Sequence, residues 1–151
     1  MKKTDAAVQI FIPSIKNKKI LEVACGDAEF SISASCYAHQ VSCIDLDDSR
    51  ICSVTPDNVH FEIMDAAKMR FSSESFDSVF LYNALSHIQS QWESIQQECM
   101  RVLKPEGCIY IVGTWKMDIA LIHNMFHDEA EWNNGFLVVK IIKNYYEQNK
   151  T

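Results

Sequence analysis

Ile20-Leu21-Glu22-Val23-Ala24 is a short, mostly apolar run that breaks at Cys25-Gly26-Asp27 and resumes as Ala28-Glu29-Phe30, where apolar spacing changes from strand-like to helix-like. No other stretch limits the fold as tightly. A buried strand turning sharply into a helix is the first unit of an open α/β sheet, whose ligands bind outside the carboxyl ends of the strands at a topological switch point. A nucleotide-like ligand is therefore expected above Gly26.

The other runs extend this pattern. A short helix is expected at Asp5 to Phe11, with Val8 and Phe11 inward and Pro13 ending it. After the first strand (Ile20 to Val23), a helix from Ala28 to Ala38 places Phe30, Ala34 and Tyr37 at helical spacing. Val41 to Ile44 is a second strand, closed by Asp45. A short helix from Asp47 to Val54 and the turn Pro56-Asp57-Asn58 lead to a third strand, Val59 to Met64, closed by Asp65. The polar loop Ser72 to Ser75 precedes a fourth strand, Ser78 to Tyr82. A helix from Gln91 to Leu103 has Trp92, Ile95, Cys99 and Val102 on one face. Lys104-Pro105-Glu106-Gly107 turns it into a fifth strand, Cys108 to Val112. A helix from Met117 to Trp132, with Leu121, Ile122, Met125 and Phe126 inward, and a last strand of open direction, Phe136 to Ile142, complete the chain. The alternation predicts an α/β protein: one domain over residues 1–151, a doubly wound, mostly parallel sheet of about six strands with helices on both faces.

A chain of 151 residues buries one sizeable core without staples, and 48% apolar with 23% charged residues is a globular composition. No apolar run is long enough to span a membrane, and no signal-peptide pattern follows Met1, so a cytoplasmic location is expected. The six cysteines stand singly and read as small, reduced, buried residues. A formal charge of −6 argues against a nucleic-acid backbone as partner.

The turn itself selects among nucleotide-like ligands. A dinucleotide turn has glycines that let backbone amides approach a pyrophosphate, whereas the corresponding positions here are Ala24, Gly26 and Glu29. Glu22, Asp27 and Glu29 surround it with negative charge. NAD fits poorly. A ligand with positive charge and no phosphate fits, S-adenosylmethionine being one, and Asp45 at the end of the second strand is placed to accept from both ribose hydroxyls.

ILEVACGDAEF, VSCIDLD, VHFEIMDAAKMRFSSESFDSVFLYNALSHI and CMRVLKPEGCIYIVG resemble, in order and spacing, the successive motifs of class I, Rossmann-like, S-adenosylmethionine-dependent methyltransferases of the small type 11 group. The resemblance spans Lys19 to Gly113. It implies that the Ala24-Cys25-Gly26 backbone passes the methionine part of the cofactor and that Glu22 helps hold its amino end. Asp45 takes the ribose and Leu46 packs on the adenine. Asp65 accepts from the adenine amino group, the Ala66 backbone reads the ring edge, and Asn83 faces the methyl-donor end. His87 is the candidate base.

Three positions or regions depart from the family pattern. Ala24 and Ala28 stand where relatives usually have glycine, Ser86-His87 replaces two histidines, and the segments that usually cover the substrate side are short. The expectation is a methyltransferase with an unidentified acceptor, the alternative a non-catalytic S-adenosylmethionine-binding regulatory or structural subunit. A homodimer or a covering partner subunit is the expected association. His123, His127 and Glu131 recur at helical spacing, but without the glutamate of a zinc protease motif they read as a solvated face, and no metal is expected. Trp115, Lys116 and Tyr37 are candidates for the substrate rim.

Overall fold

The structure, a computed structural model, describes residues 1–52 and 54–149. These form a seven-stranded sheet in the order β3-β2-β1-β4-β5-β7-β6. The strands are β1 (Lys19–Val23), β2 (Gln40–Asp45), β3 (Val59–Ile63), β4 (Phe76–Tyr82), β5 (Leu103–Gly113), β6 (Ala130–Asn133) and β7 (Phe136–Ile142). β1 to β5 run parallel; β7 is antiparallel to both β5 and β6, which settles the direction left open by the sequence. The chain winds outward from β1 to β3, then restarts at β4 beside β1. That junction is the switch point.

Strand residues alternate between two cores. Leu21, Val23, Val79, Leu81, Ile109 and Ile111 pack under α5 (Trp92–Val102) and α6 (Lys116–Phe126), which supply Ile95, Cys99 and Ile122. Ile20, Val41, Phe80, Tyr110 and Val112 face α1 (Lys3–Ile10), α2 (Ile12–Ile15) and α3 (Glu29–Ala34), which supply Val8, Ile15 and Phe30, with Phe11 at the junction of α1 and α2. Phe80 lies at the centre of the second core: its ring meets those of Phe11, Phe30 and Tyr110 at 5.1–5.3 Å between centroids. Ser78 Oγ donates to the Ser14 carbonyl and Ser14 Oγ bonds the Tyr110 hydroxyl, which seats α2 on the sheet.

The structure corrects several sequence expectations. Pro13 does not stop the first helix; it lies in the first turn of α2, where its missing N–H costs nothing. α3 ends at Ala34, leaving Tyr37 outside it and 39% exposed, with its hydroxyl accepting from Gln9 Nε2. The helix expected from Asp47 is a loop over the described residues, and Ser53 lies outside them. Asp47 Oδ1 instead accepts from the N–H and Oγ of Ser49, a local turn that competes with helix. Lys104–Gly107 is a bulge within β5: Leu103 pairs with Phe76, and Cys108 with Ser78.

The largest correction lies after β5. The helix expected to reach Trp132 ends at Phe126, and Ala130–Asn133 forms the extra strand β6. Asn134 (φ 50°) and Gly135 (φ 87°) make the two-residue turn to β7, and Asn-Gly is the strongest short hairpin signal. His123, His127 and Glu131 thus fall on α6, a 3-10 turn and β6, so they share no helix face. A seventh helix, α7 (Lys143–Asn149), is anchored by the buried Lys143 Nζ donating to the Leu103 carbonyl at 2.6 Å. Cys25, Cys43 and Cys99 are buried as expected, whereas Cys36 and Cys52 are exposed. Among the described residues no helix is long and apolar enough to cross a membrane.

Candidate functional site

A cavity of about 410 Å³ opens at the carboxyl ends of the parallel strands, within the ~300–1,000 Å³ of small-molecule sites. Every candidate cofactor or catalytic residue read from the sequence lines it: Glu22, Ala24, Cys25, Gly26, Asp45, Leu46, Asp65, Ala66, Asn83 and His87. They come together because each follows, or ends, a strand whose neighbour carries the next one. Trp115 also borders it, whereas Tyr37 borders a separate shallow hollow beside α1.

The floor is the turn after β1. Ala24, Gly26 and Ala28 all have positive φ, at 56°, 58° and 63°. A left-handed residue costs little for glycine and ~1–2 kcal/mol for alanine, so Ala24 and Ala28 hold the turn at some strain. The Gly26 N–H donates to Asp45 Oδ2 at 2.8 Å, and the Cys25 N–H to the Ile44 carbonyl at 3.0 Å. Asp45 Oδ1 accepts from the Leu46 N–H at 2.7 Å. Each carboxylate oxygen keeps a lone pair for a ligand.

Glu22 is 2% exposed beneath this turn, and its Oε1 accepts from Ser31 Oγ at 2.7 Å and the Ser31 N–H at 3.2 Å. Burial raises its carboxyl well above the usual range, only partly opposed by those two bonds. A hydrogen bond to Cys43, reinforced by burial, pushes the Cys25 thiol far up, so it stays protonated. At β3 the Asp65 Oδ1 accepts from the Ala67 N–H at 2.9 Å, fixing the carboxylate at the cavity wall.

The opposite wall is built after β4 and β5. Asn83, 4% exposed and at φ 49°, accepts through Oδ1 from the N–H groups of Thr114 and Trp115 and donates through Nδ2 to Thr114 Oγ1. Its amide is therefore largely committed to the protein. His87 sits exposed on the short helix α4 (Leu85–Ile88). Sequence reasoning missed Arg50, Tyr82 and Gln91, which also line the cavity. Arg50 comes from the loop after β2, and its Nη1 lies 2.8 Å from where a Cβ on Gly26 would stand. No local signal marks it. Gln91 belongs to a 3-10 turn that leads into α5, and the expected helix start at Gln91 held the only hint.

A mostly parallel sheet in this order, with a ligand-sized acidic cavity over the switch point, defines a Rossmann-like α/β fold. Residues 21–111 match the methyltransferase domain family of the type 11 group, and the chain belongs to that family. A Mycobacterium tuberculosis protein named "Probable S-adenosylmethionine-dependent methyltransferase" is 27% identical over 105 residues, 68% of this chain. This chain spans only 38% of that relative's length. Among solved structures, an S-adenosylmethionine-dependent methyltransferase from Aquifex aeolicus superposes with a TM-score of 0.69 at 15% identity, covering 91% of this chain and 88% of that one. The YcgJ protein of Bacillus subtilis gives 0.64 at 21% identity, covering 73% and 51%. At these identities the structural likeness speaks for the fold.

Proposed function

We propose that this chain binds S-adenosylmethionine in the cavity and transfers its methyl group to an acceptor. The observation that carries this reading is the Asp45 carboxylate bonded to the Gly26 N–H at the switch point, in a cavity whose lining holds Glu22, Asp27, Glu29, Asp45, Asp47 and Asp65. These acceptors suit a ligand with a sulfonium, an amino group and ribose hydroxyls. Even with Arg50 in the lining and Glu22 held toward its neutral form by burial, the remaining carboxylates outnumber the cation and disfavour a pyrophosphate.

Asp45 would hold the ribose, Leu46 would pack on the adenine, Asp65 would accept from its amino group, and the Ala66 backbone would meet the ring edge. The Ala24-Cys25-Gly26 backbone and Glu22 would hold the methionine part, with Asn83 at the methyl end. When bound, the cofactor supplies an electrophilic methyl group on sulfur. The chain's contribution is alignment of the acceptor, an effect worth ~7–11 kcal/mol in well-oriented reactions. His87, exposed at the rim, takes the acceptor's proton, which typically adds ~10²–10⁴-fold. The name carried by the M. tuberculosis relative supports the same cofactor.

Calorimetric titration with S-adenosylmethionine and S-adenosylhomocysteine tests the reading. Micromolar binding that Asp45→Ala weakens by about 10²-fold or more is expected; a folded protein that binds neither ligand at millimolar concentration refutes it. A second reading, a binding subunit completed by a partner or a second copy, draws on the exposure of Leu46 (71%), Trp115 (52%) and Met117 (66%). Methyl transfer by the isolated chain would exclude it.

A further inference from the structure

Charge in the cavity is divided across the sheet. Every Asp and Glu that lines it comes from β1, β2, β3 and the segments following them, as does Arg50. The half built after β4 and β5 contributes Tyr82, Asn83, His87, Gln91 and Trp115 with the aliphatic Ile88 and Ile95, and no Asp, Glu, Lys or Arg among the described residues. Asp118, behind the lining, spends its carboxylate on Ser86, so a charged group entering that half leaves water and meets no free counter-charge in the lining, which is costly; an uncharged one loses little.

The same half is cross-braced by hydrogen bonds between its segments. Asn83, after β4, fixes the backbone of Thr114 and Trp115, after β5, at 2.8 and 3.2 Å, and the Trp115 carbonyl accepts from the Ile119 N–H at 2.9 Å. In the other direction Asp118, 1% exposed on α6, accepts from the Ser86 N–H at 3.1 Å and from Ser86 Oγ at 3.2 Å, next to His87 on α4. Each loop thus clamps the other. Trp115 is nevertheless 52% exposed, so a large flat apolar side chain stands half in water on an immobilised backbone. Such a side chain is preorganised for contact with another flat apolar surface.

We propose that the acceptor is a small uncharged aromatic compound bearing a hydroxyl group, seated on Trp115 with its hydroxyl within reach of His87. This rests on the reading that the cavity binds S-adenosylmethionine. In the transfer the hydroxyl oxygen's electron pair forms the bond to the methyl carbon while the carbon–sulfur bond breaks and leaves its pair on sulfur. The hydroxyl proton passes to the His87 imidazole and from there to water. Trp115 binds the ring; Asn83 and Asp118 are positioning residues that act through Trp115 and His87.

The probes are three ligands with one ring system and different charge: 2-naphthol, 2-naphthoate and the ammonium form of 2-(aminomethyl)naphthalene. Saturation-transfer NMR and calorimetry on protein loaded with S-adenosylhomocysteine measure their binding. 2-Naphthol is expected to bind about tenfold or more tightly than either ion, and Trp115→Ala to weaken it about tenfold while Trp115→Phe retains most of it. Both variants are expected to keep their affinity for S-adenosylhomocysteine, which confirms an intact cavity. Labelled methyl transfer from S-adenosylmethionine to 2-naphthol completes the support. Equal binding of an ionic ring, naphthol binding that ignores Trp115→Ala, or no naphthol binding to the loaded protein would overturn the acceptor class alone. Failure of the wild-type protein to bind S-adenosylhomocysteine would overturn the methyltransferase reading beneath it as well.

Discussion

The main-chain N–H of Gly26 donates to Asp45 Oδ2 at 2.8 Å and so ties the turn after β1 to the end of the neighbouring β2. One carboxylate therefore braces the floor of the cavity while keeping lone pairs for a ligand. Asp45→Ala removes both, and hydrogen bonds to a charged acceptor are worth ~1.5–3 kcal/mol each. Affinity for S-adenosylhomocysteine is expected to fall by about 10²-fold or more. Asp45→Asn, which still accepts from Gly26, is expected to keep more stability than affinity; calorimetry beside urea denaturation separates the two.

Ala24 and Ala28 occupy left-handed backbone, a conformation that suits glycine. Ala24→Gly is expected to stabilise the protein by about 1 kcal/mol, the strain it removes exceeding the added entropy of the unfolded chain. Ala6→Gly, inside α1, is expected to destabilise by ~0.5–1 kcal/mol. Urea unfolding of the two variants reads the contrast. A loss of stability in Ala24→Gly would show the turn to be unstrained.

Glu22 gives a pH dependence of known sign. Burial raises its carboxyl in the folded state above its value in the unfolded chain. The folded state then binds the proton more tightly, so Glu22 contributes stability below the ordinary carboxylate range. That contribution is lost as pH rises through the raised folded value. Glu22→Gln, whose amide oxygen still accepts from Ser31, is expected to gain relative to wild type with rising pH across that window and to level off above it. The difference between the two stability curves isolates Glu22 from Asp5, Asp47 and Glu98, whose carboxyls shift downward and act in the opposite sense.

Asn83→Ala leaves the N–H groups of Thr114 and Trp115 without their acceptor and puts alanine at φ 49°. These donors are part-buried, so a destabilisation of about 1 kcal/mol, the low end for an unsatisfied group, is expected in urea. Because the wall carrying Trp115 loosens, its indole emission is expected to shift to longer wavelength, an effect that Trp115→Phe in the same background would remove. An unchanged spectrum would mean that Asn83 does not govern the indole.

The sequence laid out the β1–turn–α3 unit, the acidic strand ends at Asp45 and Asp65, and the apolar faces of α5 and α6, because each is written in short-range periodicity and turn chemistry. It misleads where local signals compete. The helical spacing of Leu121, Ile122, Met125 and Phe126 points to a helix running on over Ala130–Asn133, although Asn134-Gly135 encodes the hairpin of β6 and β7. Asp47-Asp48-Ser49 suits a helix start, yet Asp47 and Ser49 close a loop on themselves instead.

By itself, then, the sequence determined the class of fold, the family and the strand ends that meet a ligand, since these depend on neighbours along the chain. The tertiary structure decided what depends on residues far apart: that Arg50 lies over Gly26, that Asn83 spends its amide on Thr114 and Trp115, that Asp118 grips Ser86, and that charge gathers on one half of the cavity. Those relationships arise from strand pairings that join distant parts of the chain, β1 with β2 and β4, and β4 with β5, which no local pattern of residues records.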